Sequence, residues 1–424
     1  MRVGIFTDSY PPRINGVATS AAILKKALEE LGHEVYVVTV GNDDKTYSYD
    51  EKEKVYYIPG FKYGIYDFRA APVYPALAVK KIRSWHLDII HSQTEMSMGI
   101  FARFLARQYG IPLVHTYHTM YKDYTYYVSK NLKYFDMGLK KAVAYFSKFY
   151  CDNTANAFIV PTIKIYKLFR EEYHYDKDIY IVPTGIDVTP FLSKSINKKK
   201  VESLRKKLGY KKNDFVLIFA GRTAQEKNIE FLLSVMNKEK DKKIKLLIVG
   251  YGPNLEKYKE LAHELDVEDK VKFTGRVEWT DMPYYYHLAD ASITASKTET
   301  QGLTVIEGMA AGLPALCMND DAFRTMVVDG LNGMFFETES ECLREIEDLA
   351  SSKLKCESMS RQAVVTAKKF SPEDFAKSVL VVYDAAIENY NKTRKRDIPG
   401  LIVDLIKEKR EKKNEKDDST EPKE

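Results

Sequence analysis

The sequence predicts an α/β chain of two doubly wound, parallel-sheet domains facing a central cleft. Three observations carry this. Strand, helix and strand patterns follow one another from the first residues, a second series of the same kind begins near residue 216, and 424 residues, 45% of them hydrophobic, exceed what one ordinary core holds.

The apolar run Val3 to Phe6 leads through a Pro/Asn/Gly loop into a helical pattern at Ala18 to Leu31, which Gly32 stops, and a second strand follows at Val35 to Val40. Strand, helix, strand in that order favours a parallel sheet with right-handed crossovers. The pattern recurs with a strand at Leu87 to His91, a helix around Gly99 to Gln108 stopped by Gly110, and a strand at Leu113 to His115. The stretch Pro183 to Pro190 is turn-rich and Lys194 to Lys212 is strongly basic, which places the domain linker there. Beyond it Val216 to Ala220, Leu246 to Val249, Val271 to Thr274, Ala291 to Ala295 and Pro314 to Cys317 read as strands with helices between them. The first domain is expected over 1–190 and the second over 191–370. The halves share no alignable repeat, which excludes a solenoid. From Lys407 onward nearly every residue is charged or polar, so 407–424 reads as a disordered tail.

Composition narrows the function. Sixty-five Lys and Arg against 60 Asp and Glu leave a formal +5, well short of a nucleic-acid coat, so nucleic acid is not expected as a partner. Four scattered cysteines (Cys151, Cys317, Cys342, Cys356) lack ligand-like spacing and suit a reducing cytoplasm without disulfides or structural zinc. No signal segment opens the sequence and no 18 apolar residues are consecutive, so no membrane span is expected.

In open α/β sheets ligands bind beyond the carboxyl ends of the strands, so chemistry belongs in post-strand loops. After the strand ending at Ala220 comes Gly221-Arg222-Thr223-Ala224-Gln225-Glu226-Lys227-Asn228, where two cations meet the start of a helix. Such a loop suits a diphosphate, because Arg offers a planar donor fork, Lys a point charge and the helix its unpaired amides. A solvated basic loop is the equally weighted alternative. A later loop carries Glu299 and, one helical turn inside the next helix, Glu307, with Gln301, Gly302, Leu303 and Thr304 between. Both carboxylates can reach one groove and accept from sugar hydroxyls, while the amides of Leu303 to Val305 point at an anion. As isolated residues both would read as solvated surface acids; the shared glycine loop favours a site.

Gly16 lies in the opening loop, where the lack of a Cβ admits a phosphate close to the backbone, although a plain turn glycine is as good a reading. His118 and Asp123 follow the strand at Leu113 to His115, which brings them to the expected cleft. Gly250-Tyr251-Gly252-Pro253 lacks the third glycine of a dinucleotide fingerprint, and no Asp-x-Asp pair or His cluster announces a metal. Between Gly60 and Tyr150 thirteen cations stand against five acids. Lys133, Lys140 and Lys141 belong to this excess and are interleaved with aromatics, as in a basic amphipathic helix at an anionic lipid surface. On periodicity alone an ordinary core-facing helix explains that stretch better.

Taken together, Gly221-Arg222 with Lys227, the Glu299-Thr-Gln-Gly-Leu-Thr-Val-Ile-Glu307 segment, the Gly16 loop and His118 resemble the retaining glycosyltransferases of family 4, of GT-B fold, over roughly residues 1–393. Phe6-Thr7-Asp8-Ser9-Tyr10-Pro11-Pro12, Ser92-Gln93-Thr94-Glu95 and His115 to Tyr124 look like the bacterial members that glucosylate diacylglycerol. The resemblance implies that Arg222 and Lys227 bind the donor diphosphate, Glu307 the ribose and Glu299 the transferred sugar. Gly16 would lie against the phosphates, with Gly302, Leu303 and Thr304 lining the donor site, and His118 would contact the sugar near the reacting carbon. Asp123 would position the acceptor or order its aromatic loop. The resemblance also implies that residues 371–393 cross back onto the first domain. The expected reaction moves glucose from UDP-glucose to diacylglycerol with the α configuration retained, at the cytoplasmic face of the membrane, with anionic lipid as a partner. No metal is obligatory; nothing calls for Mg2+ or excludes it, and there is no signal for an oligomer. A sugar acceptor, galactose as the donor sugar, and a non-catalytic nucleotide-sugar sensor are the open alternatives.

Overall fold

A computed structural model of the chain describes residues 1–13, 15–62, 69–118 and 155–393. Asp123, Lys133, Lys140, Lys141, Cys151 and the tail 407–424 lie outside these residues.

The first half builds β1 (Arg2–Thr7), α1 (Gly16–Glu30), β2 (Glu34–Val40), β3 (Ser48–Asp50), β4 (Val55–Ile58), β5 (Phe61–Lys62) and β6 (Arg69–Ala70). It continues with α2 (Ala76–Arg83), β7 (Ile89–Ser92), α3 (Ser97–Tyr109), β8 (Leu113–Thr116), β9 (Ala157–Val160) and β10 (Ile179–Ile181). Eight of these strands form one sheet in the order β10-β9-β8-β7-β1-β2-β4-β3, parallel except where β3 runs against β4. The hydrophobic runs read from the sequence are its central strands. They are buried on both faces, which is why they show no alternation.

The second half builds β11 (Phe215–Ala220), β12 (Ile244–Val249), β13 (Val271–Gly275), β14 (Ala291–Thr294), β15 (Ala315–Met318) and β16 (Gly333–Phe336). They form an all-parallel sheet in the order β13-β12-β11-β14-β15-β16. In both sheets the strand order reverses beside the first strand, between β1 and β7 and between β11 and β14. Those two reversals create the crevices in which such sheets bind ligands.

Part of the basic stretch 194–212 proves to be a helix, Lys198–Lys207, rather than a plain connection. Asn197 caps it by accepting from the amides of Lys199 and Lys200, and Arg205 fastens it to the second half by donating to the carbonyls of Leu288 and Asp214. Its apolar residues Val201 and Leu204, with Leu208 just past its end, pack against the core at helical spacing. Among so many lysines that spacing was easy to miss.

The chain returns to the first sheet at its end. Phe375, Ala376, Val379, Val382, Tyr383 and Ala386, on the helix over residues 372–393, join the cluster formed by β1, β2 and α1. The outgoing and returning segments touch where Ile186 N donates to Phe370 O at 2.8 Å. Gly185 is required there, because a Cβ would stand 2.7 Å from that of Phe375 and 2.9 Å from Ser371 O.

Candidate active site

On the second sheet the loops after β11 and β14 flank the reversal, and they carry the predicted cations and carboxylates. Arg222 forms an ion pair with Glu226, and Lys227 forms one with Glu299. The loop after β12 closes over them. Gly250 adopts φ +149°, and a Cβ on it would lie 1.8 Å from Gly221 O, so only glycine lets the two loops meet. Burial works to raise the pKa of Glu299, but the Lys227 ammonium and a Ser296 hydrogen bond outweigh it and leave the carboxyl below its ordinary range.

Glu307 sits in the helix Leu303–Ala310, only 8% exposed, so it is not the solvated helix residue of the bland reading. Its Oε2 accepts from Tyr286 Oη at 2.8 Å and its Oε1 from Trp279 Nε1 at 3.3 Å. Burial pushes its pKa up to about 7, against the lowering pull of those two bonds. The helix start departs from expectation in one respect. The amide of Val305 is taken by the carbonyl of Gly302 at 3.0 Å, which leaves those of Leu303 and Thr304 for an anion. Gly302 itself takes a left-handed φ of +81° as the cap.

Gln301 holds this loop. It is 4% exposed, and its amide pairs with the backbone of Thr184, Oε1 accepting from N at 2.8 Å and Nε2 donating to O at 2.9 Å. Thr162, after β9, donates to Thr300 O at 2.8 Å, and Lys164 donates to Lys297 O at 2.6 Å and to Asp320 at 2.7 Å. The loop of Lys297 to Gln301 is therefore tied to segments of the first half.

On the first sheet the reversal is lined by the loops after β1 and β7. Gly16 is the first residue of α1, after the cap Asn15, whose Oδ1 accepts from Ala18 N at 2.9 Å; nothing lies within 4 Å of where its Cβ would be. Asp8 accepts from Thr94 Oγ1 at 2.6 Å and from Met98 N at 3.0 Å, and burial pushes its pKa up to about 6. His118 is half-buried and its Nε2 meets Gln93 Oε1 at 2.5 Å. Beneath it His115 contacts Glu95 at 3.2 Å, and His91 contacts Thr116 Oγ1 at 2.7 Å and Tyr383 Oη at 2.8 Å. Burial drives all three imidazoles down, His118 to about 4 and His91 and His115 well below their ordinary value, so they are neutral near pH 7.

The structure thus brings Lys227 to Glu299, and sets Arg222 and Glu307 on the same sheet's crevice. Among the described residues no hydrogen bond joins Gly16 or His118 to that set. Glu226, Gln301, Trp279, Tyr286, Asp8 and Gln93 were not foreseen as parts of the site. Glu226 and Gln301 stood inside the motifs already read, and Asp8 directly follows a strand; Trp279 and Tyr286 carried no local signal. Arg103, included in the basic excess, turns inward to donate to Gly99 O at 3.1 Å and adds nothing to the surface. No group of three or more His, Cys, Asp or Glu able to hold a metal is found among the described residues, and none of their helices is long and apolar enough to cross a membrane.

Comparison with known proteins places this geometry. Residues 14–189 match Glycosyltransferase Family 4 and residues 200–366 match Glycosyl transferases group 1. The chain is 36% identical over 407 residues to the alpha-monoglucosyldiacylglycerol synthase of Acholeplasma laidlawii, covering 92% of this chain and 99% of that protein. It is 33% identical to the synthase of the same name from Streptococcus pneumoniae, covering 92% and 87%. Among solved structures, Anabaena HepE in complex with UDP superposes with a TM-score of 0.71 at 16% identity, covering 91% of this chain and all of that one. Sucrose-phosphate synthase from Thermosynechococcus elongatus superposes with a TM-score of 0.72 at 18% identity, covering 90% and 98%. With two parallel sheets, cations and carboxylates at the second crevice, and this likeness along nearly its whole length, the chain belongs to the family 4 glycosyltransferases of GT-B fold and is a hexosyltransferase.

Proposed function

We propose that the enzyme transfers glucose from UDP-glucose to the free hydroxyl of 1,2-diacylglycerol, with retention of the α configuration. The observation that carries this reading is the likeness, over 92% of the chain, to two proteins named alpha-monoglucosyldiacylglycerol synthase. Structural neighbours solved with UDP and UDP-glucose support the donor.

Retention alone allows a covalent intermediate or a front-face route, and the proposal is the front-face one. The bond between sugar C1 and the β-phosphate oxygen breaks while a bond from the acceptor oxygen to C1 forms. The acceptor's proton passes to the departing phosphate oxygen on the same face, and UDP leaves. Negative charge grows on the diphosphate, where Arg222, Lys227 and the helix-start amides lie, and fixed cations at that place stabilise the transition state more than the ground state. The diphosphate displaces Glu226 and Glu299 as partners of the two cations. Glu299 then turns to the sugar hydroxyls, and Glu307, as a carboxylate, accepts from the ribose. In this reading fixed cations do the work of a metal.

A greasy acceptor requires a lipid surface. Val73, Tyr74, Leu77 and Phe104 are exposed large hydrophobics on the first half, and the Tyr74 ring lies 5.9 Å from that of Phe104. Lys80 and Arg83 in the last turn of α2, which carries Leu77, and Arg107 in the last turn of α3, which carries Phe104, are exposed cations on the same two helices. An apolar patch accompanied by cations suits an anionic bilayer face. It supports peripheral attachment at the inner face of the membrane, to which Lys133, Lys140, Lys141 and Asp123 would add.

The test offers radiolabelled UDP-glucose and UDP-galactose separately to vesicles of diacylglycerol with anionic lipid, then to oligosaccharides, with products resolved by chromatography. Monoglucosyldiacylglycerol from UDP-glucose, formed equally in EDTA, is the expected product. Label appearing only in oligosaccharide would overturn the lipid acceptor, and UDP-glucose binding without any turnover would favour a sensor.

A further inference from the structure

We infer that Gln93 is a positioning residue that holds His118 in a single neutral tautomer, proton on Nε2, so that Nδ1 is the ring's acceptor toward the donor sugar. The inference rests on the reading of His118 as a sugar-contacting residue and goes beyond it by naming the group that orients it.

A glutamine amide oxygen can only accept, so the 2.5 Å contact from His118 Nε2 to Gln93 Oε1 requires the hydrogen on Nε2. The amide cannot easily turn over. Its nitrogen lies 3.1 Å from Nε2 and 3.3 Å from Nδ1 of His91, over the face of a ring whose in-plane nitrogens already meet hydroxyls; an N–H is favoured on that electron-rich face and a carbonyl oxygen is repelled by it, and the side chain is 1% exposed. His91 is fixed in turn by the hydroxyls of Thr116 and Tyr383. The backbone of Gln93 is fixed by its N–H to Phe6 O at 2.8 Å. The chain Tyr383–His91–Gln93–His118 therefore runs from the returning helix to the end of β8. Among the described residues the other charged or titratable neighbours are Glu95 and His115 beside the ring and Arg103 behind His115; Glu95 favours protonation, His115 opposes it, and burial outweighs both. A ring so held acts as neither acid nor base through Nε2. It accepts a sugar hydroxyl through Nδ1.

The test labels the histidines of the full chain with 15N and assigns His118 by the signal that His118→Ala removes. At pH 7.5 the expected spectrum has a protonated Nε2 and a bare Nδ1; a proton on Nδ1, or an even mixture, overturns the inference in the unmutated protein. Gln93→Met should then mix the tautomers and lower kcat by about 10-fold to 100-fold, as loss of an outer partner does for other functional imidazoles, with the donor KM within about threefold. The double variant Gln93→Met/His118→Ala should be no worse than His118→Ala. An unchanged kcat in Gln93→Met beside a collapsed His118→Ala overturns the role of Gln93 alone. Full activity in His118→Ala instead overturns the reading of His118, and the tautomer spectrum still stands as its own result.

Discussion

The candidate groups of the two crevices differ in chemistry. On the second sheet the functional groups are ions in pairs, Arg222 with Glu226 and Lys227 with Glu299, set in loops that reach solvent. On the first sheet the three imidazoles are neutral and enclosed, His91 and His115 buried and His118 half-buried, held by the Gln93 amide, the hydroxyls of Thr116 and Tyr383 and, at His115, the buried Glu95 carboxyl. In the proposed reading the difference follows from what each side holds. A nucleoside diphosphate leaves with growing negative charge and needs fixed cations whose carboxylate partners it can displace. A sugar and a diacylglycerol hydroxyl carry none, and they need hydrogen-bonding groups whose protons stay in place.

The sharpest way to break this contrast is to remove a cation. Arg222→Ala and Lys227→Ala should each lower kcat by on the order of 10²-fold to 10³-fold; near-normal turnover in both would mean that charge is handled elsewhere.

Next in size is Glu307, a carboxyl on the ionic side that burial brings close to neutrality. Glu307 is raised from its ordinary 4.5 to about 7, so it loses its charge as the pH falls through about 7. Uridine, which carries no titrating phosphate, should bind up to about tenfold more weakly per pH unit below that point, and Glu307→Gln should flatten the profile. The same shift has a stability consequence of definite sign. Between 4.5 and about 7 the folded chain keeps a proton that the unfolded chain has released, so this group's contribution to stability is lost as the pH rises through that window. Uridine titrations by calorimetry at stepped pH check the binding half, and melting curves of wild type against Glu307→Gln check the other.

Smaller effects are expected at the lipid-facing side. Charge reversal at Lys80 and Arg107 should weaken sedimentation with anionic vesicles by about 1 kcal/mol per residue, more at low salt; unchanged sedimentation would remove the patch from the account. Smallest of all is the exposed tie between the halves, Lys167 to Asp321 at 2.7 Å. Lys167→Ala should change unfolding free energy by less than about 1 kcal/mol in urea titration. Lys164→Ala, whose ammonium is enclosed against Asp320 and Lys297 O, should cost more.

The same contrast explains what could be read in the sequence. The central strands of both sheets were legible because buried parallel strands are unbroken apolar runs, and because glycines such as Gly32 and Gly110 stop the helices between them. The ionic site was legible because Arg222 and Lys227 share one post-strand loop, and Glu299 and Glu307 the next. Glu226 was overlooked because an acid between two cations looks like solvated surface until its burial is seen. The neutral site was largely illegible. Asp8 and Gln93 stood inside the segments that carry the resemblance, but they follow β1 and β7 and meet Tyr383 of the returning helix only in the fold, so no spacing joins the set, and an uncharged glutamine after a strand announces no chemistry. His118 stood out by its position alone. The helix Lys198–Lys207 went unread for a related reason, since three apolar residues among lysines look like a linker until Arg205 is seen anchoring them.

The central claim is that the second crevice grips the leaving nucleotide. A crystal structure of the chain soaked with UDP tests it most directly. The account predicts the diphosphate within hydrogen-bonding distance of Arg222 and Lys227, with the ribose hydroxyls on Glu307. A nucleotide bound away from these three residues, with their present partners undisturbed, would contradict it.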